Sequence, residues 1–479
     1  MSIPSCLRVF FLACLALVVV SGCSHDEVVA PDPTVADFPS AAVDVSERVQ
    51  IASDEIVRAF GWDAESSALD RNAPPIFADD FDQQVLVGSV VQYSADVRVG
   101  DGPYDVIRVY RVVDEDLPQV QRRHGSNVFL LHGDGLGFVK FVFGSATPVL
   151  PDDQSVAVYL ARAGVDVWGM DQNWALVPEG VADLSFSTEW GMQNQIETLD
   201  AGLGIARSVR QRSGYGPFKM NLLGYSSGGV TGYAYLNEQT QRPERSRHVG
   251  GFVSADVYYK YGPDFEASRV AACEFEGIYG QMLEDGMYDL GGCLADTDPE
   301  GDSPIVPGFT NRQTALFLLS VPDGTNFGTP WYHFFAPVLE DGFPVDFAYT
   351  QTAAAFDFLQ EFVPFEPTAF ARDYAAIWCD ETDVPWDDFL GEIDVPVLSL
   401  GAAGGLVDAT QYTLDLLGST DKTLISVSLN DDPLLDFAHI DLWIADDAPQ
   451  LVYDPLLQWL EEHPQRPGRR NVGRAPSAD

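Results

Sequence analysis

"FKMNLLGYSSGGVTGYAYLNEQTQ", residues 218–241, is an apolar run that stops at Gly224, restarts as Gly-Tyr-Ser-Ser-Gly-Gly, and continues with helix-forming residues. The run reads as a strand and the continuation as a helix, which puts Ser226 at a strand-to-helix turn. Gly224 and Gly228 flank that serine, and a turn this tight tolerates only neighbours without bulk. A serine held there points its hydroxyl out above a sheet edge. The N–H of Ser227 then lies at a helix N-terminus, where it can stabilise developing negative charge.

Further apolar runs surround this one: 104–113, 126–133, 165–171, 249–256, 395–402 and 422–429. They alternate with helical stretches, the pattern of a mostly parallel sheet covered on both faces. Met192, Ile196, Leu199, Leu203, Ala206 and Val209 recur at spacings of three and four and predict one helix lying on that sheet. The expected fold class is therefore α/β, a doubly wound parallel sheet.

A serine at its ordinary pKa is a poor nucleophile and needs a base. The chain has seven histidines. His439, in "LLDFAHIDLW" just after the last strand candidate, falls in a loop at the carboxyl edge of the sheet, where Ser226 also lies. His132 ends the strand "NVFLLHG" and reads as structural, with the backbone N–H of Asp134 beyond it a candidate second oxyanion donor beside Ser227. A carboxylate must fix the tautomer of the histidine. Asp408 is the only acid in "AAGGLVDAT", the loop after the penultimate strand, and is the favoured choice. Asp256, directly at the end of "VGGFVSAD", is the alternative, with tighter geometry.

"LLHGDG", "LARAGVDVWGMDQNW", "LLGYSSGG" and "FAHIDLW" together resemble the α/β-hydrolase fold, and within it the lipase and esterase branch. The resemblance spans residues 126–460 with the middle third unmatched. It implies Ser226 as nucleophile, His439 as general base and Asp408 as its orienting acid. Two departures stand out. Asp134 occupies a position where an apolar residue is common, and "DQNW" replaces an Asn-x-Arg-Gly run.

From Ser226 to Asp408 the chain is far longer than the roughly 30 residues of a βα unit with its next strand. An aromatic-rich insertion, about residues 257–390, is expected to form a cap or lid over the Ser226 edge. Trp331, Tyr332, Phe334 and Phe335 would then line an apolar substrate pocket, unless they form the core of the insertion itself. The full division is a signal peptide over 1–22, a tether and N-terminal segment over 23–80, core over 81–256, cap over 257–390, core again over 391–463, and a disordered tail over 464–479.

The ends of the chain suggest where it works. Residues 1–23, "MSIPSCLRVFFLACLALVVVSGC", have one cation, a short apolar run and small residues before Cys23. Val20-Ser21-Gly22-Cys23 resembles a bacterial lipobox, which implies lipidation of Cys23 and a membrane surface, outer membrane or cell surface, as the destination. An ordinary signal peptide is the alternative. Of Cys273, Cys293 and Cys379, the first two are the closer pair for a disulfide, and three unbridged thiols are equally compatible. A formal net charge of −45 disfavours nucleic acid as a partner. No His-x-x-x-His or Cys-x-x-Cys spacing, phosphate loop or dinucleotide fingerprint occurs, so no metal or cofactor is expected. Two function classes follow: a serine hydrolase acting on small-molecule or lipid esters with apolar groups, and a surface lipoprotein that uses the same scaffold for binding or adhesion.

Overall fold

The computed structural model describes residues 44–62, 76–117, 120–121, 125–178, 180–275, 283–284, 286–321, 329–363 and 365–465. Cys23, the tether up to residue 43 and the tail beyond residue 465 lie outside them.

The chain enters as α1 (Val45–Ala59), capped by Asp44, whose side chain accepts the Glu47 N–H. Three strands follow in antiparallel succession, β1 (Ala78–Val87), β2 (Val90–Arg98) and β3 (Val106–Leu117), with a two-residue strand β4 (Val120–Gln121) paired to β3. Then come β5 (Ser126–Leu131), α2 (Val156–Arg162), β6 (Val165–Asp171), α3 (Met192–Arg212), β7 (Met220–Tyr225), α4 (Ser227–Thr240) and β8 (Val249–Ala255). The sheet order is β1-β2-β3-β6-β5-β7-β8-β13-β14, with β13 (Val397–Ala402) and β14 (Lys422–Val427) completing it. From β6 to β14 every pairing is parallel. All seven strands expected from the sequence are present, so the fold is the expected α/β sheet.

Alternation builds two cores. On β5, Phe129 and Leu131 enter one apolar layer and Val128 and Leu130 the opposite one. The first layer is closed by α1, α3 and α4. All six residues of the helical stripe on α3, from Met192 to Val209, are buried there. The second layer is closed by α2 and by α12 (Asp454–Glu462). Strands buried on both faces read as continuous apolar runs, which is why they were visible in the sequence.

Between β8 and β13 the chain leaves the main sheet. It forms α5 (Glu266–Phe275), β9 (Leu283–Glu284), α6 (Gly286–Thr297), α7 (Asn311–Ser320), the hairpin β10 (Pro337–Glu340) and β11 (Phe343–Phe347), α8 (Thr352–Gln360), β12 (Phe365–Glu366) and α9 (Thr368–Cys379). After β13 come α10 (Val407–Leu416) and, past β14, the short α11 (Asp441–Ile444). Cys273 on α5 bridges Cys379 on α9, with S–S 2.14 Å. The expected pairing of Cys273 with Cys293 is therefore corrected: the close approach of α5 and α9, not nearness in sequence, selects the partner. Among the described residues no helix is long and apolar enough to cross a membrane.

Candidate active site

β7 delivers Ser226 to the carboxyl edge of the sheet in a backbone conformation that side chains rarely adopt, φ 55° and ψ −131°. Such a residue costs of order 1–3 kcal/mol and persists only when its surroundings over-determine it. They do so here by close approach. A Cβ on Gly224 would sit 2.5 Å from the Gly228 carbonyl oxygen, and one on Gly228 would collide with the His132 carbonyl. The Ser226 N–H donates to Ala255 O at 3.1 Å, and its own carbonyl receives the Gly229 N–H at 2.8 Å. Ser226 is half-buried, and Ser227 opens α4.

Tyr225 and Ala255 are in register on β7 and β8, so Ser226 and Asp256 leave neighbouring strands side by side. Asp256 also has positive φ, 45°, and is buried. Its Oδ2 lies 2.6 Å from His439 Nδ1. Its Oδ1 accepts the N–H groups of Ala402 and Leu406 at 2.9 and 3.0 Å. The carboxylate is thus held by the end of β13 and the loop after it, with one oxygen left for the imidazole.

The favoured placement of Asp408 on His439 is corrected by this geometry. Asp408 lies in the first turn of α10 and is exposed. Burial and the Asp256 charge raise its pKa. The last residue of β13 and the residue before α10 donate their backbone N–H groups to Asp256, so the alternative acid occupies the position beside the histidine.

His439 is buried, and its N–H donates to His333 O at 3.2 Å. The Tyr225 ring stacks on it at 4.6 Å, which seats the imidazole against the Ser226 turn. With Nδ1 engaged by a carboxylate, Nε2 is the nitrogen that can exchange a proton. His132 behaves as expected of a structural residue. Its Nε2 accepts the Gln172 N–H at 3.0 Å, which puts its proton on Nδ1 facing Gly133 O at 2.9 Å, and burial lowers its pKa.

Gly133 packs so tightly under Ser226 that a Cβ there would meet Ser226 Cβ at 2.6 Å. That contact places Asp134 beside the same turn. Its carboxylate accepts the Ser227 hydroxyl at 2.5 Å, tying together the two residues expected to supply oxyanion donors.

Of the four rings expected at a pocket, the structure brings two to the histidine. Tyr332 meets His439 edge-on at 5.1 Å, and Phe334 lies 6.4 Å from it. Behind Phe334 stand Tyr288 and Phe362, which the sequence reading did not single out. Trp331 is half-buried, and its carbonyl lies 2.7 Å from His333 Nδ1. Phe335 is a correction: it is fully buried and packs on Phe347 and Phe358 in the core, because the chain bends at 334–335, where both N–H groups donate to Leu319 O, and the bend turns its ring away from that of Phe334.

Cys273, Cys379 and Glu381 are grouped closely enough for a metal, but both sulfurs are spent in the disulfide. A cavity of about 410 Å³ between α1 and α3, lined by Val49, Gly204, Arg207 and His248 among others, lies away from Ser226, and the Nδ1 of its histidine is bound to Arg207.

No protein-family model matches the chain, and no curated protein matches it. Solved structures do. A proposed lipase from Sulfolobus solfataricus aligns over 82% of this chain and 98% of its own, with 19% identity and a TM-score of 0.53. A thermophilic esterase from Thermogutta terrifontis aligns over 77% and 99% (14% identity, TM-score 0.38). A soluble variant of monoglyceride lipase from Saccharomyces cerevisiae aligns over 77% and 94% (14% identity, TM-score 0.39). The fold of this chain is that of the α/β-hydrolases.

Proposed function

We propose that this chain is a serine hydrolase that cleaves carboxylic esters through an acyl-enzyme on Ser226. The observation that carries the reading is the His439 Nδ1 to Asp256 bond of 2.6 Å, set beside a serine held at positive φ on the adjacent strand end. In this reading Ser226 Oγ attacks the ester carbonyl carbon and its proton passes to His439 Nε2. Asp256 holds the tautomer and stabilises the imidazolium. The N–H groups of Ser227 and Asp134 receive the oxyanion. Collapse of the tetrahedral intermediate expels the alcohol, which takes the proton from Nε2. Water then repeats the sequence on the acyl-enzyme and frees Ser226. The lipase and esterase neighbours support the ester as substrate, and the rings of Tyr332 and Phe334 beside His439 support an apolar group on it.

Ser226→Ala is expected to abolish both fluorophosphonate labelling and turnover of p-nitrophenyl esters while the protein melts as a folded chain. Labelling that survives in this variant places the nucleophile elsewhere. Export with a lipid on Cys23 is part of the same proposal, with the lipobox-like residues 20–23 as its support. Cys23→Ser is expected to release the protein from the membrane fraction with turnover unchanged, and continued sedimentation with membranes would reject the anchor.

A further inference from the structure

Asp134 is one of the two departures from the pattern that the sequence resembles, and the chain between β8 and β13 meets it there. Besides accepting the Ser227 hydroxyl, its carboxyl group is hydrogen-bonded to that of Glu366 on β12. The Glu366 carboxylate also accepts the Tyr374 hydroxyl of α9 at 3.1 Å. Three residues before Glu366, the Val363 N–H donates to Gly135 O at 3.1 Å. The end of the insertion is therefore fastened twice to residues 134–135, the loop that packs under Ser226. Two carboxyl groups can bond each other only while one of them keeps a proton.

We propose that Glu366 is a positioning residue for the oxyanion site: through a proton shared with Asp134 it holds Asp134 and Ser227 in the arrangement that receives the developing charge. The inference rests on Ser226 being the nucleophile. When the shared proton leaves, two adjacent anions repel each other and oppose an oxyanion formed beside them, so acylation slows.

Among the described residues, Ser227 and Glu366 are polar partners of Asp134, and Tyr374 of α9 is one of those of Glu366. Asp373 on the same helix is engaged by Arg372 and the Met192 N–H. β9 brings Glu284 into register with Phe365. On the loop's own side, burial lowers the pKa of His132, and Asp171 accepts from Tyr110 and the Phe138 N–H. Lys140, further along, is buried and its pKa is lowered to about 7, with its Nζ on Phe358 O. Burial raises the Asp134 carboxyl to about 6. A folded pKa above the unfolded value means that the contribution of this group to stability falls as pH rises between about 4 and 6.

The test is acylation by p-nitrophenyl acetate and fluorophosphonate labelling from pH 5.5 to 8.5, on the full chain and on Glu366→Gln and Glu366→Ala. The wild-type acylation rate is expected to fall at least about tenfold on the alkaline side as the pair loses its proton. In Glu366→Gln an amide N–H reaches Asp134 at every pH, so this limb disappears. Glu366→Ala is expected to lose about 10- to 100-fold in kcat with KM within about threefold, less than outright removal of an oxyanion donor. A purely structural role would lower the rate equally at all pH values and leave the limb in Glu366→Gln. Labelled Ser226 with the same pH profile in all three proteins overturns this inference alone. Absence of label on wild-type Ser226 overturns both it and the proposed function.

Discussion

β8 and β13 are neighbours in the sheet and end at the same edge, and an aspartate follows each. The two carboxylates have opposite surroundings. Asp256 follows its strand directly, is buried, and receives two backbone N–H groups besides His439. Asp408 lies six residues past its strand and faces water from the first turn of a helix. A carboxylate that orients a buried imidazolium must be desolvated, and desolvation is tolerable only where fixed donors replace the lost water. The end of β13 and the loop after it supply those donors to the neighbouring strand end. The lesson is that the acid is chosen by where backbone N–H groups converge, and a loop can serve the site with its main chain while its one acid stays outside.

The largest expected effect breaks this comparison if it is wrong. Asp256→Asn should cost up to about 10⁴-fold in kcat near neutral pH, because Nδ1 loses the carboxylate that sets its tautomer, whereas Asp408→Asn should stay within about threefold. Turnover of one short p-nitrophenyl ester by the two variants checks it, and the reverse ranking would return the acid to α10. A smaller effect sharpens the role of the β13 loop. A Cβ on Gly405 would collide with Asp256 Oδ2. Gly405→Ala should therefore displace the carboxylate and lower kcat by about 10²-fold, the scale of a misplacement near 1 Å, with the side chains of Ser226, His439 and Asp256 all chemically intact. Activity within a factor of two would mean that Asp256 tolerates the shift.

The same contrast explains how far the sequence could be read. The strand ending at Tyr225, the glycines around Ser226 and the stripe on α3 were legible because they obey local rules of period and bulk. β1 was not. It is an edge strand, mostly exposed, and its sequence "ADDFDQQVLV" has no apolar alternation to detect. The choice between Asp256 and Asp408 depends on the Ala402 and Leu406 N–H groups, which every residue but proline carries, so no residue type announces it. Glu366 was missed for a similar reason. Its partner Asp134 is far away in the chain, and a glutamate before Pro367 reads as an ordinary loop acid. The Cys273–Cys379 bridge likewise follows from α5 meeting α9, which spacing does not encode.

The smallest expected effect concerns Asp408 itself, through stability. Its pKa is raised above the ordinary carboxylate value by partial burial, the larger cause, and by the Asp256 charge. A carboxyl with a raised folded pKa binds its proton more tightly in the folded state, so its ionisation opposes folding as pH rises above the unfolded value. Asn carries no such proton. Asp408→Asn should therefore raise Tm more at pH 7 than at pH 3, where the Asp408 carboxyl is largely protonated in the folded and the unfolded chain alike and the two proteins should melt nearly together. Because the group is more exposed than buried, solvent screens the interaction and the gain should be small. Its sign is the discriminating feature. If Asp408 were instead the partner of an imidazolium, its pKa would be depressed, its charge would stabilise the fold, and the asparagine variant would melt lower at pH 7. Paired thermal melts of the wild type and Asp408→Asn at the two pH values separate these outcomes without any substrate, so the result does not depend on the proposed activity.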